Sequence, residues 1–460
     1  MVERQDRNFS QRAGWLACLS AVQAQRYQKA AQGTTGGRKP WAAQVNDVLM
    51  HNARRRCISE FCCIDPRPPY ARRFIMPSKP NLHLFCRVVD NFGDIGVSWR
   101  LARQLQAEHA FEVTLWVDHL PSFARICAEL DPQLARQSTG GIEVRHWIDD
   151  FERAEAVEAG DVVIEAFGCA LPSAYLRAMA ARPVKPVWIN LEYLSAEAWV
   201  EGCHTMQSVH PSLPLVKYFF FPGFTAQTGG LLMESELPAM RAAFAADPGA
   251  ATAFLDSLGC RMPHDARRMS LFCYPHAPVT ALFHLLEADS RPTFCMVPEG
   301  VASDAVSAFL GQSAATGACS TRGSLSVQVM PFLDQPDYDR LLWSCDLNFV
   351  RGEDSVVRAQ WAERPFIWQI YPQEEAAHLV KLQAFMARMQ AGMSAQSGMT
   401  LHDTFLAWNG AGQFSLAWPA FRAALPQLRS EASQWAVQLR QNGDLAANLA
   451  QFVRKVGRIS

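Results

Sequence analysis

From residue 81 onward, short apolar runs alternate with segments of helical period, and the alternation occurs twice. The first series places strands at 82–89, 112–117, 142–147, 161–166 and 187–191, with helical patterns such as 97–108 and 172–181 between most of them. The second series starts near Met269, with strands at 270–274, 293–297, 324–330, 346–350 and 365–369. Helices fit 279–287, 302–310, 338–343, 355–362 and 374–389. Strands that alternate with helices pair in parallel, because a right-handed crossover helix packs back onto the sheet. A chain of 460 residues is also too long for one ordinary core. The expectation is an α/β protein of two halves facing across a cleft.

The segment 195–224, with KYFFFPGFTAQTGG, breaks the rhythm and reads as a loop-rich excursion near that cleft. Residues 238–258 read as helix, and 430–456 as helix again. The expected division is an extension over 1–78, a first α/β domain over 79–236, a second over 237–430 and a C-terminal helix over 431–460. Charge separates the extension from the rest. Residues 1–75 hold 13 Lys and Arg against 5 Asp and Glu, whereas the remainder holds 30 against 39. A basic arm for nucleic acid or a membrane surface is one reading of the extension. A disordered or non-native segment, with Met76 as a natural start, is the reading preferred. The acidic body argues against direct nucleic-acid binding, which needs a basic footprint. No apolar run of about 18 residues indicates a membrane span. The first twenty residues mix charges into what would be the apolar part of a secretory leader, so none is expected. Thirteen cysteines are scattered without zinc spacing and are expected to be buried thiols in a reducing cytoplasm.

Two segments carry candidate chemistry. In FCRVVDNFGDIGVSWRLARQL an apolar run ends at Asp90, a short loop holds Asn91, Phe92 and Gly93, and Asp94 stands where a helix begins. Val97, Leu101 and Leu105 then mark one helical face. Carboxylates at a strand-to-helix turn lie where parallel-sheet proteins keep their sites. They also suit plain structural work, an Asx turn at Asp90 and Asn91 or a helix cap at Asp94. In NFVRGEDSVVR a strand ends at Val350 and a helix follows Gly352. The free N–H groups of that helix start, with Arg351 beside them, make a plausible cradle for a diphosphate. Glu353, Asp354 and Ser355 are equally ordinary helix-start residues. Phe332 and Gln335, in MPFLDQPDYD, could meet a base or simply enter a helix. Phe272 and Tyr274, on one face of a strand end, could line a base pocket or pack. Neither a dinucleotide fingerprint, nor a P-loop, nor a metal-ligand set is present, so no metal or other cofactor is assigned.

The segments VVDNFGDIGVSWRLARQL, INLEYLSAEAWVEGCHTM, YFFFPGFTAQTGGLL and FVRGEDSVVRAQWAERPFIWQIYPQEEAAH together resemble the elongation factor P arginine rhamnosyltransferases, the EarP family. The resemblance runs from about Lys79 to the C-terminus. It implies an inverting GT-B glycosyltransferase with two Rossmann-like domains. Such an enzyme would move L-rhamnose from dTDP-β-L-rhamnose to one arginine of elongation factor P in the cytoplasm. Residue by residue, it implies that Asp90 is the general base and that Asp94 holds the acceptor guanidinium or the base. Glu353 joins these two as a catalytic candidate. Phe92 and Gly93 fall on the donor side of the loop, with Arg351, Gly352, Glu353, Asp354 and Ser355 in the donor motif. Tyr274, Phe332 and Gln335 match thymine and ribose contacts, with Phe272 less securely placed, and Tyr371 is a further donor-side candidate. Two alternatives stand beside this reading: a GT-B enzyme for another sugar or acceptor, and a non-catalytic protein that binds elongation factor P.

Overall fold

Parallel strands covered on both faces appear in sequence as unbroken apolar runs, and both series fold as such sheets. The computed structural model describes residues 79–90, 92–147, 158–263, 265–373 and 376–457. The extension over 1–78 and Asn91 lie outside the described residues. The first sheet is built from β1 (Asn81–Cys86), β2 (Glu112–Val117), β3 (Arg136–Thr139), β4 (Ile142–His146), β5 (Val162–Ala166), β6 (Val187–Leu191), β7 (Gln207–Val209) and β8 (Val216–Phe220). Its order is β3-β4-β2-β1-β5-β6-β8-β7, parallel except for the two outermost strands. The second comprises β9 (Arg267–Leu271), β10 (Thr293–Pro298), β11 (Cys319–Arg322), β12 (Leu325–Met330), β13 (Leu347–Arg351) and β14 (Phe366–Gln369). Its order is β11-β12-β10-β9-β13-β14, with only the edge strand β11 antiparallel. Two Rossmann-like sheets of this kind make a GT-B fold.

In each sheet the strand order reverses beside the first strand of the series. β1 lies between β2 and β5, and β9 lies between β10 and β13. Chain connections diverge there and leave a crevice at the carboxyl ends of the strands. At the second switch Ser270 Oγ meets Asn348 Oδ1 at 2.6 Å between two buried side chains, which fixes the register of β9 on β13.

The segment 195–224 is not a loop-rich excursion. It holds the helix Trp199–Cys203 and the hairpin of β7 and β8 that extends the first sheet. The aromatic run is strand because its side chains have partners on both sides: Phe219 packs with Val200 and Cys203, Phe220 against the ring of Phe452. Residues 238–258 form two helices, Leu237–Ala246 and Ala250–Ser257, parted at Asp247, Pro248 and Gly249. The C-terminal segment is not one helix over 431–460. A helix already runs over Phe414–Arg440, and a second, Leu445–Gly457, returns to the first half. Leu445, Leu449 and Val453 join the core of the first sheet with Leu82, Leu84 and Ile189. Cys86, Cys273 and Cys295 are buried free thiols.

Candidate active site

The sequence-derived candidates stand at or just beyond the carboxyl ends of strands. Asp90 to Asp94 follow β1, Phe272 and Tyr274 follow β9, and Phe332 and Gln335 follow β12. Arg351 to Ser355 span the end of β13, and Tyr371 follows β14. The two switch points face one another, so the loop after β1 meets the loops of the second sheet in two adjoining cavities. The larger, about 720 Å³ with its mouth open to solvent, takes in Phe92, Phe272, Tyr274, Phe332, Gln335 and the segment from Arg351 to Ser355. The smaller, about 550 Å³, is lined by Asp94, Phe167, Tyr193, Trp368, Tyr371 and Lys381 among others. Asp90, Gly93, Gly352 and Glu353 border both. Tyr371, expected among the donor contacts, lines the smaller cavity instead. Its ring meets that of Tyr274 edge to face at 5.6 Å.

Asp94 neither caps the helix Gly93–His109 nor points to solvent. Its Oδ2 accepts the backbone N–H groups of Val89 and Asp90, both at 2.8 Å, and so braces the loop that presents Asp90. The helix itself starts after Phe92 without a side-chain cap. Asp90 is half-buried, and its Oδ2 accepts the Tyr274 hydroxyl at 2.9 Å across the cleft. Burial, then the Asp90 carboxylate, push the Tyr274 hydroxyl well above the ordinary tyrosine range, so it donates to Asp90 as a neutral group. Burial followed by Asp94 and Glu353 does the same to Tyr193. Glu353 Oε2 accepts the N–H of Leu194 at 3.0 Å, a further bond between the halves.

On the opposite wall the helix Gly352–Trp361 points its N-terminus at the larger cavity. Its first N–H groups have no carbonyl within the helix to bond, which leaves a focus of positive potential. Gly352 has φ +65°, and a Cβ there would come within 3.2 Å of the Tyr274 hydroxyl and 3.3 Å of Asp90 Oδ2. Glycine serves the close approach as well as the turn. Arg351 lies with its guanidinium 4.3 Å from the Phe272 ring centre and 4.8 Å from that of Tyr274, and donates to the Cys273 carbonyl at 3.1 Å. Phe272 and Tyr274 thus pack on the Arg351 cation. Gln369 fixes their loop by accepting the Tyr274 N–H at 2.7 Å. Phe332 meets Phe92 from the other half at 4.9 Å. Gln335 donates its amide to the Gly96 carbonyl at 2.9 Å, while its Oε1 has no protein partner.

Sequence reasoning missed the wall of the smaller cavity. Phe167 and Tyr193 stack at 4.6 Å, and Phe167 takes φ +55°, a conformation uncommon outside glycine. Phe167 lies one residue and Tyr193 two residues past the end of a predicted strand, so position at a strand end was the signal available. Three carboxylates and these aromatic faces suit a planar cation. Among the described residues no group of three or more His, Cys, Asp or Glu is disposed to hold a metal ion, and no helix is long and apolar enough to cross a membrane.

Comparison with known proteins bears on the same region. The family profile described as Elongation-Factor P (EF-P) rhamnosyltransferase EarP matches residues 82–454. A protein-arginine rhamnosyltransferase of Pseudomonas aeruginosa is 48% identical over 80% of this chain and 97% of its own length. That of Pseudomonas putida is 47% identical over 82% of this chain and 99% of its own. A solved structure, on the structural basis for EarP-mediated arginine glycosylation of translation elongation factor EF-P, is 34% identical with a TM-score of 0.59. It covers 82% of this chain and 99% of that one.

Proposed function

This chain belongs to the elongation factor P rhamnosyltransferase family EarP and is a glycosyltransferase, and from that premise we propose that it moves L-rhamnose from dTDP-β-L-rhamnose to an arginine of elongation factor P, with inversion, in the cytoplasm. The observation that carries the reading is the junction of the two cavities at Asp90, Gly93, Gly352 and Glu353. A cradle for an anion opens on one side of it and a pocket of carboxylates and aromatic faces on the other. An inverting transfer needs that layout, with the nucleophile on one face of the sugar and the leaving group on the other.

In this reading the donor's diphosphate rests on the start of the helix Gly352–Trp361 and against Arg351, and its base lies between Phe92, Phe332 and Gln335. The acceptor guanidinium enters the smaller cavity. A guanidinium is protonated at neutral pH and carries no free lone pair, so it must lose a proton as it attacks. Its nitrogen forms a bond to C1 as the bond from C1 to the diphosphate oxygen breaks. The proton passes to Asp90, and the negative charge gathered on the diphosphate is met by Arg351 and the helix N–H groups, with no metal assigned. A rival assignment gives the base's role to Asp94, favoured by its place on the acceptor-side cavity alone. The two backbone N–H groups on its Oδ2 suit a brace better than a base.

Intact-mass measurement of elongation factor P, after incubation with the protein and dTDP-L-rhamnose, tests the whole reading. One deoxyhexose on one arginine is the expected gain. An unmodified acceptor, or the same gain from a UDP- or GDP-sugar in preference, would overturn the proposed donor and acceptor.

A further inference from the structure

Arg100 lies one helical turn after Gly96, on the helix that opens with Gly93 and Asp94, and is 1% exposed. Its Nε donates to Asp354 Oδ1 at 2.9 Å. Its Nη1 and Nη2 each reach a carboxylate oxygen of Asp339 at 3.3 Å, and Nη1 reaches Glu234 at 3.5 Å. Arg358, from the helix on the opposite wall, holds the same Asp339 at 2.6 and 2.8 Å and Glu234 at 2.6 Å. Asp339 and Glu234 therefore each have two arginine partners. Among the described residues, the ion pair of Asp354 is with Arg100 alone.

Asp354 suits the helix start by itself but not an anion bound there. It is the third residue of the helix Gly352–Trp361, and it lines the cavity into which that helix directs its positive end. An uncompensated carboxylate there would repel the anion that the helix start attracts. Its Oδ2 lies 3.6 Å from the position a Cβ on Gly96 would take, so the carboxylate leans against the opposing helix. That lean is possible because residue 96 has no side chain and residue 100 supplies the cation.

We propose that Arg100 is a positioning residue, which draws the Asp354 carboxylate back onto the acceptor-side helix and cancels its charge so that the helix start can receive the donor's diphosphate. The inference rests on the proposed reading of that helix start as the diphosphate cradle. It ties donor binding to the helix that also carries Asp94, so that the cradle is complete only when the two halves are in register.

Binding of dTDP by calorimetry, with donor KM, kcat and melting temperature, tests this in R100M, R100K, D354N and the double variant R100M/D354N. R100M should weaken dTDP binding and raise donor KM by about tenfold or more, the loss typical of one charge-assisted hydrogen bond, with kcat less affected. Adding D354N should restore binding to that of D354N alone, because the charge no longer needs a partner, and R100K should fall in between. A role confined to folding would lower the melting temperature without such rescue. If R100M does not fold, R100K against R100K/D354N makes the same comparison. Wild-type protein that fails to bind dTDP refutes the donor site itself. Normal dTDP binding in the Arg100 variants, or no restoration by D354N, overturns the role of Arg100 alone.

Discussion

At the scale of single residues, the pair of aspartates at the first switch point divides its work by environment. Asp94 is 3% exposed and spends Oδ2 on two backbone N–H groups, whereas Asp90 reaches both cavities and Tyr274. Asp90→Asn should therefore abolish transfer, a loss of about 100-fold or more for a missing base, with dTDP binding and melting temperature kept. Asp94→Asn should lower the melting temperature as well, since a neutral amide oxygen accepts the two N–H groups more weakly than a carboxylate does. Full transfer by the Asp90 variant would move the base to Asp94. A second residue-scale expectation concerns acid. His83 sits inside β1, its ring bonded to the Tyr175 hydroxyl at 2.7 Å, and burial followed by Arg145 holds its pKa down to about 4. The unfolded chain takes up that proton near pH 6.5, so this contribution is whole above 6.5 and declines as pH falls towards 4, by at most about 1.4 kcal/mol per pH unit. His204, lowered by burial to about 4, acts in the same window. Replacing His83 with Gln should flatten part of the decline in melting temperature between pH 6.5 and 4. An unchanged slope would show that His83 does not contribute.

At the scale of elements, the helix Gly93–His109 shows how a surface is reassigned by its neighbours. Val97, Leu101 and Leu105 form the apolar face legible in the sequence, and they are buried against the first sheet. Arg100 and Gln104, polar residues that do not belong to that face, are 1% and 2% exposed. They are covered because the helices Gly352–Trp361 and Leu445–Gly457 pack on that side. Gln104 bonds the Met233 carbonyl and Asp444, and Gly96 accepts from Gln335. No periodicity marks such a face, since its polar groups meet partners more than a hundred residues away. The opposing helix depends on Gly352 in the same way. Gly352→Ala would force a side chain into the left-handed region, at about 1–2 kcal/mol, and against Tyr274 and Asp90. Weaker dTDP binding with a small fall in melting temperature is the expected outcome in calorimetry. Binding equal to wild type would argue that the cradle tolerates a displaced helix start.

At the scale of the whole molecule, the last helix closes the structure by crossing back to the half that the chain left near residue 236. Removing residues 445–460 would strip Leu445, Leu449 and Val453 from the first core, at roughly 1.5–3 kcal/mol for each large side chain, which approaches the stability of a whole domain. Calorimetry of the shortened chain should show the transition of the first half lost or far lower, with that of the second half kept. A single unchanged transition would refute the dependence. The two α/β series were legible because strand and helix periods are local: the observed strands β2 and β6 coincide with the runs 112–117 and 187–191. The edge strands β3, β7 and β11 were not, being short, half-polar and antiparallel. Asp90, Arg351 and Gly352 could be picked out because strand ends, glycines and charges at helix starts have local signatures. The sequence by itself determined the fold class, the family resemblance and the residue types available for chemistry, since each is written in short-range pattern. Only the tertiary structure decided that Tyr274 bonds Asp90, that Glu353 and Arg100 join the halves, and that Tyr371 faces the smaller cavity. Those contacts depend on where two separately folded sheets meet, and no stretch of sequence encodes that distance locally.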